Sequence, residues 1–167
     1  MKKQLTQERL KSLLHYDPQT GHFTYLEAYK DHQAGDRAGY VKTNGYREVA
    51  IDGHKIYEHR LAVFYVTGAF PQECVDHVNR NPIDNRWANL REATYCQNSW
   101  NTGLRKDNTS GYKGVCPARN GLWQAYLYAD GARLNLGFFE EKERAVEAVA
   151  AKRKELHGDF AYQATKQ

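Results

Sequence analysis

Apolar and polar residues alternate most regularly in two segments near the C-terminal end of the chain. One spans residues 123–128 and the other residues 133–138, with Asp130-Gly131 between them. Alternation is typical of strands with one buried face, and an Asx-Gly step supplies the positive φ that a tight hairpin requires. With residues 112–117 as a first strand, the pattern predicts a three-stranded antiparallel sheet.

A helix is predicted directly after this sheet, over residues 140–156. Val146, Val149 and Ala150 lie at helical intervals, and Gly158 is placed to end the helix. We expect the helix to cover the sheet face that carries Trp123, Ala125, Leu127, Leu134, Leu136 and Phe138. The opposite face would carry Gln124, Tyr126, Tyr128, Arg133 and Asn135.

The N-terminal part of the chain predicts a second mixed unit. A short helix from about Thr6 to Leu14 precedes strands over residues 22–26, 39–41, 46–51 and 54–58. Apolar residues at helical spacing over 59–66 stop at Gly68. Strands over 74–77 and 90–93 then flank a loop, and Thr94 with Gln97 forms a capping box that starts a helix with Asn98 in its first turn.

A polar, glycine-bearing segment over residues 102–111 separates the two parts and is interpreted as a linker. The fold class is therefore α+β, with domains over residues 1–101 and 112–162 and a tail over 163–167.

Composition and charge narrow the class of protein only slightly. The 167 residues are 41% hydrophobic, which excludes a disordered polymer, and no apolar run approaches the roughly 20 residues that span a bilayer. The first residues lead into a polar stretch and not into an apolar signal core, and the three cysteines show no CxxC spacing. We therefore expect a cytoplasmic protein that is neither secreted nor bound to a membrane.

The excess of positive charge is local. Residues 105–135 hold five basic side chains against two acidic ones, although the whole chain carries a formal charge of only +4. A basic connector and sheet favour a polyanionic partner such as nucleic acid.

Candidate chemistry lies in the strand, loop, strand and helix between residues 74 and 101. Asp76-His77 ends the first strand, and the helix after the second strand should bring Asn98 close to Asp76. Carboxylate and amide oxygens suit magnesium or manganese, and a histidine can take a proton from water near neutral pH. Asn101, one turn later, is a competing ligand. Four polar loop residues are interpreted as turn formers: Asn79, Asn81, Asp84 and Asn85.

Three segments resemble the HNH nuclease motif with its ββα-metal fold: Asp76-His77, residues 84–91 (DNRWANLR) and Gln97-Asn98. His59-Arg60-Leu61 adds a likeness to phage and homing endonucleases, with a core motif over residues 59–101. The resemblance implies His77 as general base, Asp76 and Asn98 as ligands of a divalent metal, most simply Mg²⁺ with Mn²⁺ as an alternative, and Asn89 as the middle asparagine that braces the hairpin.

Three further residues near the motif have two interpretations each. The resemblance places His59 near the site, where it either takes part in catalysis or simply starts a helix. Arg60 and Arg91 are either phosphate contacts or ordinary surface charges.

Residues 110–162 are similar to the DNA-binding domain of plant ethylene-response factors, the APETALA-2 type. The likeness rests on residues 112–115 (YKGV), 123–125 (WQA), 133–139 (RLNLGFF) and the helix that follows. It implies a sheet that enters the major groove of duplex DNA. The candidate DNA-binding residues are Lys113, Arg119, Gln124, Tyr126, Tyr128, Arg133 and Asn135.

Together these patterns predict a metal-dependent DNA endonuclease of the homing or phage type, located in the host cytoplasm if a phage encodes it. One site per chain makes a nick the minimal event, and a homodimer is one route to a double-strand cut. The alternatives are a non-catalytic DNA-binding regulator that uses the C-terminal sheet, and a nuclease that acts on RNA or on structured junctions.

Overall fold

The structure is a computed structural model that describes residues 4–129 and 131–161. Within them the chain is α+β, with several small antiparallel sheets, as predicted. Asp130 of the predicted hairpin turn, position 162 and the predicted tail over 163–167 lie outside the described residues.

The chain divides into two units, residues 1–93 and 94–167. The predicted linker over 102–111 therefore lies inside the second unit, together with the helix that follows Thr94. Contacts within that unit explain the division. The ammonium group of Lys113 donates to the carbonyl oxygens of Ser99 and Trp100 at 3.3 and 2.9 Å. The ring of Trp100 also stacks on that of His157, with centroids 4.1 Å apart.

The first unit alternates short helices and strands, largely as the sequence predicted. Its elements are α1 (Gln7–Leu13), β1 (Leu14–Asp17), β2 (His22–Tyr25), β3 (Tyr40–Val41), β4 (Arg47–Ile51), β5 (His54–Tyr57), α2 (Glu58–Thr67), β6 (Cys74–His77) and β7 (Leu90–Ala93). The sheets are a β1–β2 hairpin, a β3–β4–β5 meander and a β6–β7 hairpin, all antiparallel.

Helix α2 is the central element of the first unit's core. Leu61 and Ala62 are fully buried, and they belong to one cluster with Leu10, Phe23 and Val49. The helix ends at Gly68, whose φ of 80° is the left-handed conformation that favours glycine at this position. Glu58, the first residue of α2, is fully buried as well.

Strand β1 was not predicted, and it matters for the site. The β1–β2 hairpin holds the loop between β6 and β7 through two hydrogen bonds. The hydroxyl of Tyr16 donates to the carbonyl oxygen of Asn85 at 2.7 Å, and the amide of Trp87 donates to that of Pro18 at 3.0 Å. Gly21, with φ of 74°, lies so close to the backbone of Asn85 that a Cβ would not fit.

The second unit contains a short helix, a three-stranded sheet and a long helix. The elements are α3 (Tyr95–Trp100), β8 (Val115–Pro117), β9 (Trp123–Ala129), β10 (Ala132–Phe139) and α4 (Lys142–His157), with β9 between the other two strands. The predicted capping box of α3 is present. The buried cluster between sheet and α4 consists of Val115, Ala125, Ala145 and Val149.

One predicted side-chain orientation is wrong. A β-bulge between Asn135 and Gly137 shifts the register of β10 by one residue, so Gly137 pairs with Ala125 and Phe138 with Gln124. Phe138 therefore lies on the face opposite α4 and is 55% exposed, whereas Phe139 packs against the buried cluster. A strict two-residue alternation cannot anticipate an inserted residue.

No helix within residues 4–129 and 131–161 is both long enough and apolar enough to cross a membrane.

Candidate active site

Two neighbouring residues of strand β6 form the centre of the candidate site. Asp76 and His77 are 4% and 5% exposed, and the hairpin register places Asp76 opposite Arg91 and His77 opposite Leu90. A buried carboxylate beside a buried imidazole is costly unless both are hydrogen-bonded, so their partners define what the site can do.

Asp76 is paired with Arg91 across the hairpin. Nε and Nη2 of Arg91 both donate to Oδ2 of the carboxylate, at 2.8 and 2.6 Å. Charge-assisted bonds of this kind fix the geometry of a carboxylate. Arg91, which the sequence left open as a phosphate contact or a surface charge, therefore has a buried partner in this structure. A further contact with phosphate stays a prediction.

His77 is held by a residue that the sequence analysis interpreted as a turn former. Nε2 of His77 lies 2.9 Å from Oδ1 of Asn85, and Nδ2 of Asn85 donates to Oε2 of Glu58 at 2.6 Å. Asn85 is 1% exposed and Glu58 is fully buried. The three side chains form a continuous polar chain from the start of α2 to the candidate base.

Two arginines approach the carboxylate of Glu58. Arg37 contacts it at 2.9 Å and Arg47 at 3.9 Å. Burial raises the pKa of Glu58 above its ordinary value, while the charge of Arg37 lowers it. Neither Glu58 nor Asn85 was a predicted site residue. Asparagine is common in turns and glutamate in first helical turns, so residue type gave no signal for either.

His59 packs against the candidate base. Its ring lies edge-on to that of His77, with centroids 5.2 Å apart, and stacks on Tyr57 at 5.7 Å. Burial, reinforced by the neighbouring His77 and Arg60, lowers the pKa of His59 to about 3. The neutral His59 ring thus acts as a packing surface here, and a direct catalytic role for it stays a prediction.

The environment also keeps the imidazole of His77 neutral. Burial lowers the pKa of His77, and the hydrogen bond to Asn85 and the charge of Asp76 oppose that shift in part. A neutral imidazole with a lone pair is the form that can accept a proton.

Asn89 closes the loop between β6 and β7. Its Oδ1 accepts from the amide of Asn79 at 2.9 Å, and its Nδ2 donates to the carbonyl oxygen of Asp84 at 2.7 Å. The amide of Val78 also donates to the carbonyl oxygen of Asn89. These bonds join the two ends of the loop, and any catalytic effect of Asn89 stays a prediction.

Arg60 is engaged with backbone in this structure. Its guanidinium donates to the carbonyl oxygens of Glu73 and Pro71, at 2.7 and 2.9 Å. It therefore fastens the segment that leads into β6, and its contact with DNA stays a prediction.

The residues present offer oxygen ligands for a metal ion. Asp76 supplies a carboxylate, and the predicted partner Asn98, in helix α3 of the second unit, would supply an amide oxygen. These donor types fit a hard divalent cation, which usually completes its shell with water and phosphate oxygens. Among the described residues, no group of three or more His, Cys, Asp or Glu side chains could hold a metal ion. The pairing of Asp76 with Asn98, or with Asn101, stays a prediction.

The predicted DNA-binding residues of β9 and β10 share the sheet face opposite α4. The guanidinium of Arg133 lies 4.0 Å from the ring centroid of Tyr126 and donates to Oε1 of Gln124 at 3.2 Å. Gln124 in turn donates to Asn135 at 3.3 Å, and Tyr128 is 56% exposed. The face is therefore polar, aromatic and basic.

Lys113 and Arg119 lie outside this network. The ammonium group of Lys113 donates to oxygens at the C-terminal end of α3, including the carbonyl and the hydroxyl of Thr102 at 2.8 and 3.0 Å. Arg119 is exposed in the turn before β9. Contacts of either residue with DNA stay predictions.

Comparison with known proteins identifies the class. The HNH endonuclease family matches residues 57–99, which include Asp76, His77, Asn89 and Asn98. The chain therefore contains an HNH endonuclease domain, and the comparison supports a nuclease.

The relatives found are viral. Protein 3.8 of Escherichia phage T7 is 36% identical over 88 residues, which are 52% of this chain and 72% of that protein. An uncharacterized HNH endonuclease of Acanthamoeba polyphaga mimivirus is 31% identical over 124 residues, which are 73% of this chain and 64% of that protein. The chain belongs to the family of phage T7 Protein 3.8. No solved structure matches it significantly.

Proposed function

We propose that this protein is a divalent-metal-dependent endonuclease that hydrolyses phosphodiester bonds in DNA. The observation that carries the proposal is the buried Asp76-His77 step of β6, within the segment that matches the HNH family. The carboxylate is held by Arg91 and the neutral imidazole by Asn85. These four side chains together supply an oxygen ligand, a base and a fixed geometry for both.

In the proposed reaction, His77 accepts a proton from water as the water oxygen forms a bond to phosphorus. The P–O3′ bond breaks, its electron pair stays on the departing 3′ oxygen, and that oxygen takes a proton from solvent. The products carry 5′-phosphate and 3′-hydroxyl ends. A bound Mg²⁺ or Mn²⁺ supplies charge stabilisation for the scissile phosphate and the leaving oxygen. Asp76 and Asn98 would hold it.

The second unit would hold duplex DNA on its sheet. The outer face presents Arg133 above an aromatic ring, beside exposed Tyr128 and Phe138. Guanidinium, amide and aromatic groups on one face suit contact with phosphates and base edges. The likeness to the APETALA-2 type implies a β-sheet that enters the major groove in this way.

The test is cleavage of supercoiled plasmid in Mg²⁺ or Mn²⁺ by the full chain, His77→Ala and His22→Ala. The second variant removes an exposed histidine of β2 and serves as the matched control. We expect the wild type and His22→Ala to nick the plasmid. The cleavage rate of His77→Ala should be lower by a factor of about 100 or more. Excess chelator should abolish cleavage.

Substrate competition addresses the remaining alternatives. Wild type that shifts duplex DNA but is as inert as His77→Ala on every substrate would favour the non-catalytic regulator. Preferential inhibition by RNA or by a branched junction would favour those substrates over duplex DNA. A linear product that appears only at high protein concentration would indicate that double-strand cleavage needs a homodimer.

A further inference from the structure

The polar chain from Glu58 through Asn85 to His77 lies entirely within the first unit and is almost completely buried. Its two hydrogen bonds are 2.6 and 2.9 Å long. Such a series of hydrogen bonds fixes the orientation of each side chain, because each group limits how the next can place its donors and acceptors.

The orientation starts at Glu58. Paired with Arg37 and approached by Arg47, the ionised carboxylate has no hydrogen to donate, so only the amide NH₂ of Asn85 can face it. The amide oxygen of Asn85 therefore faces His77. An amide oxygen can only accept, so the ring nitrogen next to it, Nε2, must carry the hydrogen.

The backbone around Asn85 is equally constrained. Its carbonyl oxygen accepts from the hydroxyl of Tyr16, and Gly21 allows the β1–β2 hairpin to approach without a Cβ in the way. At the other end, His59 follows Glu58 in α2 and packs on the ring of His77. The first two residues of α2 thus hold the imidazole in two ways, one through Asn85 and one by direct contact.

We propose that Glu58 and Asn85 are positioning residues that fix His77 as the Nε2–H tautomer, so that Nδ1 is the nitrogen that accepts the proton from water. The part of this inference that concerns proton transfer from water rests on the proposed nuclease function, whereas the tautomer itself is a property of the folded protein. When Nδ1 takes the proton, the charge on the ring is stabilised by the Asn85 amide dipole and by the carboxylate behind it.

The first test needs no activity. In the full chain with ¹⁵N-labelled histidine, long-range ¹⁵N–¹H couplings report which ring nitrogen of His77 carries the hydrogen, and His77→Gln identifies its signals among the seven histidines. We expect Nε2–H in the wild type and loss of that preference in Asn85→Leu, which has no acceptor. Nδ1–H in the wild type, or an unchanged tautomer in a folded Asn85→Leu, would overturn the proposal.

The second test exchanges the carboxylate and the amide between positions 58 and 85. In Glu58→Gln the Asn85 amide is free to turn, and we expect kcat to fall about 10- to 100-fold with little change in KM. In Glu58→Gln combined with Asn85→Asp, the introduced glutamine donates to the new carboxylate, whose other oxygen accepts from Nε2. We expect this double variant to regain most of the lost kcat.

Thermal unfolding monitored by circular dichroism establishes that each variant is folded. A folded double variant that is no more active than Glu58→Gln contradicts a positioning role and leaves Glu58 and Asn85 as structural residues. If His77 shows the expected tautomers while even the wild type cleaves no DNA, the nuclease function fails and the tautomer assignment stands.

Discussion

Arg91 and Asp76 face each other across the β6–β7 hairpin, and two guanidinium nitrogens of Arg91 donate to the same carboxylate oxygen. Asp76 is the predicted metal ligand, and its side chain is 5% exposed against 19% for Arg91. The arginine therefore compensates a charge that the hairpin buries. This pairing indicates that Arg91 stabilises the folded hairpin, independently of any contact with substrate.

Replacing Arg91 by alanine should destabilise the first unit. The variant leaves the buried carboxylate without its main partner, so we expect the free energy of unfolding to fall by about 3 kcal/mol. Arg91→Lys keeps the charge but loses the fork of donors and should cost about 1 kcal/mol. Urea denaturation followed by circular dichroism measures both.

Arg86→Ala is the matched control for this prediction. Arg86 pairs with Asp84 at 2.6 Å, but its side chain is 55% exposed, so its loss should lower the free energy of unfolding far less than the loss of Arg91 does. If Arg91→Ala is as stable as Arg86→Ala and only weakens DNA binding, Arg91 is a phosphate contact and the structural role is wrong.

Much of the fold follows from local sequence patterns. The capping box at Thr94, the left-handed Gly68 and the alternation in β9 each predict an element that the structure contains. Strand β1 was missed because Leu14 and Tyr16 directly follow a helix, which leaves too short a segment for a periodic signal. The bulge in β10 was missed because one inserted residue leaves the composition of the strand unchanged.

Asp76 and His77 were predicted together because they are adjacent at the end of one strand, and the family resemblance placed His59 near them, where the structure has it. The pairing of Arg91 with Asp76, which the β6–β7 register produces, was not predicted. Asn85 and Glu58 are 27 residues apart, and their contact depends on how α2 and the β1–β2 hairpin pack around the loop. Long-range packing of this kind has no periodic signature in a single sequence.

Acid should destabilise the first unit through His59. Its ordinary pKa of 6.5 is lowered to about 3 in the folded chain, so the unfolded chain binds a proton that the folded chain excludes. The stabilisation is complete above about pH 6.5 and is lost as the pH falls towards 3. Between pH 7 and pH 5 we expect a loss of about 2 kcal/mol in the free energy of unfolding.

The contribution of His59 is isolated by comparing variants. Urea titrations of the wild type, His59→Gln and the exposed-site control His22→Gln over this pH range give three slopes. We expect His59→Gln to show a shallower loss with acid and His22→Gln to follow the wild type. Parallel curves for all three would mean that His59 is protonated as readily in the folded chain as in the unfolded chain.

The bulge in β10 makes two neighbouring phenylalanines differ in burial. Phe139 packs against the cluster under α4, whereas Phe138 is 55% exposed. Phe139→Ala should lower the free energy of unfolding by about 2 kcal/mol and Phe138→Ala by less than about 0.5 kcal/mol. Thermal and urea unfolding of the pair decide the point, because a strand without the bulge would reverse the order.

The outer sheet face should bind DNA with a steep dependence on salt. If about five phosphates are neutralised, the logarithm of affinity should fall with the logarithm of salt concentration at a slope near −4.5, and each lost phosphate contact should reduce that slope by about 0.9. We therefore expect Arg133→Ala to weaken binding of a fluorescent duplex and to flatten the slope by about one such step. Arg144→Ala removes an exposed arginine of α4 that pairs with Glu147, and it should leave the slope unchanged. Equal slopes for wild type and Arg133→Ala, or a flatter slope for Arg144→Ala alone, would place the DNA-binding surface elsewhere than on this sheet.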